Sequence, residues 1–168
     1  MSILIYAESA EGKIKKVALE LASYAKKVAS SMGTTVTAVT INNSDNSALA
    51  AYGVDKVLNV SNDKLNNFSA KAYADVIAQA AKKEGSQIVL VSSSTDSLYL
   101  APLVAVALEA GYASNVVALP VSTSPFQVKR TAFSNKAFNI TEISTPVKVL
   151  GIAKNSFGLV EDAVSMTE

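Results

Sequence analysis

Residues 89 to 108 read VLVSSSTDSLYLAPLVAVAL. The stretch begins as a buried strand, passes through a cluster of hydroxyls and one acid, and continues as an almost wholly apolar segment. In an open α/β sheet, ligands sit at the carboxyl ends of strands. Ser92-Ser93-Ser94-Thr95-Asp96 therefore admits two readings. It is a phosphate cradle of hydroxyls and helix N-terminal amides, or it is the turn that caps the next helix. Asp96 opposes an anion at such a place, so capping by Asp96 or Ser97 is the favoured reading. Pro102 fits the first turn of that helix, where a missing N–H does no harm. Leu100 to Leu108 carries no polar side chain, whereas a surface helix shows a polar face. This helix is therefore expected to be covered nearly all round. The cover is either its own domain or a partner domain or subunit resting on it.

The same alternation extends towards the N-terminus. Ile3 to Glu8 reads as a buried strand, and the turn SAEGK has Gly12 as its flexible residue. From Lys13 a helix is expected, with Ile14, Val17, Ala18, Leu21, Ala25, Val28 and Met32 at the spacing of one face. Lys15, Lys16, Lys26 and Lys27 lie largely off that stripe and read as a solvated face or a docking patch. TTVTAVTI is a β-branched strand. SALAAYG is a short helix, DKVLNV a strand, and residues 69–84 a helix with Ala70, Tyr73, Ala74, Ile77, Ala78 and Ala81 on one face. QIVLVS and NVVALPV are further strands. Gly33, Gly53, Gly85 and Gly111 each sit just past a helix and before a strand, the position where a left-handed residue ends a helix. Strand and helix in alternation specify a parallel sheet covered on both faces. The expected fold is a three-layer α/β/α Rossmann-like open sheet, mostly parallel.

After Pro120 the pattern changes. FQVKRTAF, KAFNITEI and VKVLGIA follow one another with only SNK and STP between them. Hairpin spacing predicts an antiparallel C-terminal extension. Asn135 sits at the first turn, where Asn tolerates positive φ. Arg130 is the only arginine and is expected among Phe126, Phe133 and Phe138. There it either pairs with a partner's carboxylate or is an inert surface contact. The domain is expected over residues 1–153, with 154–168 as a linker or truncated tail.

Composition removes whole classes of chemistry. The 168 residues contain no His and no Cys. Cysteine nucleophiles, the common zinc sites and the Ser-His-Asp triad are excluded. No G-x-G-x-x-G or G-x-x-x-x-G-K-[ST] motif is present. No catalytic, cofactor-binding or metal-binding residue is therefore assigned. The net charge of +1 gives no pointer to nucleic acid or an anionic membrane. No apolar run reaches the roughly 18 to 20 residues that span a bilayer. Without cysteines or a leader-like N-terminus, a cytoplasmic location is expected.

Four segments, in order, resemble the N-terminal domain of the electron transfer flavoprotein alpha subunit. ILIYAESAEGKIKKVALELASYAKKVA is similar to its opening strand, acid-rich turn and long first helix. AAYGVDKVLNV matches A-x-Y-G-[AV]-D-K-V. YLAPLVAVALEAGYASNVVAL resembles the L-x-P-R-[LV]-A-x-x-L helix and its following strand. VKRTAFSNKAFNI resembles the R-x-x-[YF]-x-G-[NK]-A hairpin. The chain departs at Thr95-Asp96-Ser97, where the family has G-[KR]-[DN], at Leu103 in place of Arg, and at Asn135 in place of Gly. The resemblance implies a heterodimer with a beta subunit. That heterodimer carries electrons from acyl-CoA dehydrogenases or similar flavoenzymes, as in fatty acid beta-oxidation, to a membrane quinone oxidoreductase or another acceptor. It implies no cofactor in this chain, with FAD in the intact heterodimer, and a non-catalytic structural and docking role here. The isolated domain is then expected to expose an apolar patch at the 100–108 helix or the 126–144 hairpin and to self-associate weakly. The alternative is a stand-alone adenine-nucleotide-binding or universal-stress-protein-like domain.

Overall fold

The computed structural model describes residues 2–168. Strand β1 (Ser2–Tyr6) leads into a two-stranded ribbon, β2 (Ser9–Ala10) with β3 (Lys13–Ile14). Gly12 turns that ribbon at positive φ. Lys13 and Ile14 are thus ladder residues, and α1 (Lys16–Met32) starts later than its periodicity implies. β4 (Thr35–Ile41), a 3-10 helix over Ser47–Tyr52, β5 (Lys56–Val60), α2 (Ala70–Glu84) and β6 (Ile88–Ser92) follow. Then come α3 (Thr95–Ala107), β7 (Gly111–Val116), β8 (Ser122–Thr123), β9 (Phe126–Ala132), β10 (Ala137–Glu142) and β11 (Lys148–Ile152).

The main sheet runs β10-β9-β7-β11-β6-β1-β4-β5, with β8 beside β9. The six strands from β7 to β5 are parallel, and β9 and β10 join antiparallel. The Rossmann-like expectation holds. Side-chain alternation splits the core into two layers. Ile3 and Ile5 face Leu21, Tyr24 and Val28 of α1, while Leu4 and Tyr6 face Ile77 of α2 and Leu100 and Val104 of α3. Among the described residues, no helix is long and apolar enough to cross a membrane.

Three expectations need correction. VKVLGI is not the third strand of a meander. As β11 it inserts between β6 and β7, parallel to both. Val149 to Ile152 are buried, and a strand covered on both faces needs the continuous apolar run it has. Next, the strand after α3 is 111–116, so Gly111 is no helix cap and its φ is not positive. A Cβ at Gly111 would lie 2.5 Å from Ile143 Cγ2 and 2.8 Å from Thr145 Oγ1, and the latter oxygen accepts the Gly111 N–H. Close approach, not backbone freedom, requires glycine here. Finally, Pro102 lies well inside α3. Its missing N–H leaves the Leu98 carbonyl without a helical donor, on the side of α3 where Leu98 and Pro102 are both exposed.

Gly33, Gly53 and Gly85 do terminate their helices in the left-handed region. Phe133, Ser134 and Asn135 all have positive φ, Asn135 at 62°. Asn135→Gly is therefore expected to leave the melting temperature unchanged or slightly raised. The relief of the left-handed residue and the added unfolded-state entropy offset one another to within about 1 kcal/mol. A drop of several degrees would show that the turn depends on the Asn side chain.

Residues 154–168 lie along the body. The Glu20 carboxylate accepts the amides of Asn155, Phe157 and Gly158 at 3.0, 3.0 and 3.1 Å. Phe157 packs edge-on against the buried Tyr24. Thr167 bridges to the free side of β5.

Candidate functional site

In this strand order the chain runs outward from β1 to β4 and β5, then returns to β6 on the other side of β1. The gap beyond the ends of β1 and β6 is the topological switch point, where open α/β sheets take ligands. Glu8 and Ser92 to Ser97 flank it.

The protein fills this gap with its own carboxylate. Glu8 is buried, and its Oε1 accepts the hydroxyls of Ser92, Ser94 (2.7 Å) and Ser97 (2.9 Å). Lys15 Nζ stands 3.4 Å from Oε2. Ser94 also caps α3, its Oγ accepting the Ser97 N–H at 3.1 Å. Capping is thus the right reading of the hydroxyl cluster, but the cap is Ser94, not Asp96 or Ser97. Ser97 faces inward to Glu8, and Asp96 is left exposed in the first turn. Sequence reasoning missed Glu8. The available signal was an acid directly after β1 and a hydroxyl run directly after β6, two strands that flank the switch point.

Beside this network lies a cavity of about 350 Å³, lined among others by Tyr6, Glu11, Asn42, Tyr73 and Asp96. Burial, with the nearby Glu8 charge, pushes the Tyr6 phenol far up, so Tyr6 stays a neutral donor. Glu8, Glu11 and Asp96 place three carboxylates on this cavity. Lys15 is the one cation on the same lining, so three carboxylates and a single ammonium face the cavity, an acidic surround for an anion. No group of three or more acidic side chains is arranged to hold a metal ion among the described residues.

Two surfaces stand out instead. On α3, Leu100, Ala101, Val104 and Ala105 are buried, and the opposite side is bare. Leu98, Tyr99, Pro102, Leu103 and Val106 fall within an arc of about 140° when successive side chains step by about 100°. Tyr99 is 69% and Val106 77% exposed. Its own domain therefore covers α3 on one side only, and the other side carries the exposed apolar patch expected of the chain alone. The second surface is the β9–β10 hairpin, where Phe133, Phe138 and Ile140 are exposed. Arg130 is not the partner of the surrounding rings. Lys148, Lys136 and Lys129 stand over Phe126, Phe133 and Phe138 at 5.6, 5.8 and 4.2 Å. Strand alternation sends Arg130 to the face of the buried Val128, opposite Phe138. Of the four lysines off the α1 stripe, Lys15 and Lys26 pair with Glu8 and Asp55, and Lys16 and Lys27 remain exposed.

Residues 3–167 match the family model of the electron transfer flavoprotein domain. The chain belongs to the electron transfer flavoprotein family. It is similar to alpha subunits of that family. The one from Thermoanaerobacterium thermosaccharolyticum is 33% identical over 122 residues, covering 71% of this chain and 37% of the relative. The one from Clostridium acetobutylicum is 29% identical over 122 residues, covering 71% and 36%. The one from Bacillus subtilis is 25% identical over 156 residues, covering 92% and 48%. The chain thus spans about a third to a half of the length of these relatives, and corresponds to the N-terminal domain of an electron transfer flavoprotein alpha subunit.

Proposed function

We propose that the chain is the structural and docking domain of an electron transfer flavoprotein alpha subunit. It packs against a beta subunit in a cytoplasmic heterodimer and is not itself catalytic. FAD is held outside this domain. The intact protein accepts electrons from acyl-CoA dehydrogenases or similar flavoenzymes and passes them to a membrane quinone oxidoreductase or another acceptor. The observation that carries the docking role is the bare apolar face of α3, on a domain whose switch point is occupied by its own Glu8. A helix with no polar side chain from Leu100 to Leu108 is costly to leave in water and suits a face covered in the assembly.

Supplied with a beta subunit of the family, the chain is expected to form a complex measurable by calorimetry. Leu98→Lys with Val106→Lys is expected to weaken it by at least about tenfold, since buried apolar contacts at an interface centre dominate its affinity. Both positions are exposed in the chain alone, so the melting temperature should hold. Absence of a complex, or a complex indifferent to both lysines, would contradict the role.

A further inference from the structure

The two edges of the main sheet are treated differently. At β5 the free side is partly covered: Val57 N–H donates to Thr167 O, and Thr167 N–H to Asp55 O. At β10 nothing among the described residues pairs with the outer side. A bare edge strand is a template for another strand unless charge, proline or a bulge blunts it.

The β10 edge is open and specific in pattern. Ile143 N–H donates to Phe126 O across the hairpin. By the antiparallel alternation, Thr141, Asn139 and Ala137 exchange bonds with β9, while the N–H and C=O of Phe138, Ile140 and Glu142 point outward. Phe138 and Ile140 are 65% and 51% exposed and share one face with Lys129 and Glu142.

That pattern is complementary to itself. When two copies of β10 run antiparallel about a two-fold axis at Asn139, Phe138 falls opposite Ile140 and Ile140 opposite Phe138. Lys136, the turn residue just before β10, then lies at the end of the paired strands next to the second copy's Glu142, and Glu142 next to its Lys136. The outward groups of Phe138 and Ile140 then meet as bonded pairs. Each two-fold axis repeats every contact, so one apolar cluster of four side chains is flanked by two opposite-charge pairs. We infer that the β10 edge is a homotypic docking site, taken by β10 of a second copy of this chain in antiparallel register centred on Asn139. It is distinct from the α3 face and does not depend on the beta-subunit reading.

Sedimentation equilibrium of the whole chain, from micromolar to millimolar concentration, tests this. The wild type should show a monomer–dimer equilibrium. Ile140→Pro should abolish it while circular dichroism stays native, because that N–H faces away from β9. Lys136→Glu and Glu142→Lys, both at exposed positions, should each raise the dissociation constant at least about fivefold by setting like charges opposite. The double reversal should restore it. A strict monomer at millimolar concentration overturns the inference. So does a dimer untouched by Ile140→Pro, or a double reversal that fails to restore association.

Discussion

Glu8→Ala is expected to destabilise the domain by about 3 to 5 kcal/mol, the range for removing one partner of a buried charge network. Three hydroxyls and one ammonium lose their common acceptor, and the gap between β1 and β6 loses its filling. Glu8→Gln keeps the volume and one acceptor oxygen but turns an amide towards Lys15. Its cost should be smaller, about 1 to 2 kcal/mol. Urea unfolding of the three proteins provides the test. Near-equal stabilities would mean that water satisfies the serines as well as the carboxylate does, and that the switch point is open.

Glu20→Ala is expected to have the next largest effect, about 2 to 3 kcal/mol for charge-assisted bonds to three amides. The loss should be local, freeing residues 154–168 for rapid proteolysis while the sheet persists. Burial pushes the Glu20 carboxyl upward, but the amides of Phe157, Gly158 and Asn155 outweigh it, and the net pKa is lowered. A carboxyl depressed in the folded state stabilises fully above its unfolded pKa, and that contribution is lost as pH falls through the folded one. The wild-type tail should therefore loosen only on acidification below the ordinary carboxylate range, and the Glu20→Ala tail should already be loose at neutral pH. A tail equally protected in both proteins would place the latch elsewhere.

What could be read along the chain was what local chemistry decides. Gly33, Gly53 and Gly85 announce themselves because a left-handed helix end has a sequence signature. Gly111 has the same neighbourhood and a different reason, since Ile143 and Thr145 reach it from more than thirty residues away. The short link before β11 imitates a hairpin, and only its apolar run hints at a central parallel strand. Glu8 and Ser92 are 84 residues apart. Their meeting follows from strand order, which no window of sequence contains. The α3 stretch named its own composition correctly, but composition alone could not say which arc of the helix the sheet would leave bare.

On the proposed reading this domain docks and does not hold a nucleotide, because Glu8 takes the place a phosphate would need. Amide chemical shifts of the wild-type chain, followed during titration with AMP and then FAD, test it most directly. No saturable shifts are expected at Glu8, Lys15 or residues 92–97 up to millimolar ligand. Saturable shifts there with micromolar affinity would contradict it and favour a stand-alone nucleotide-binding domain.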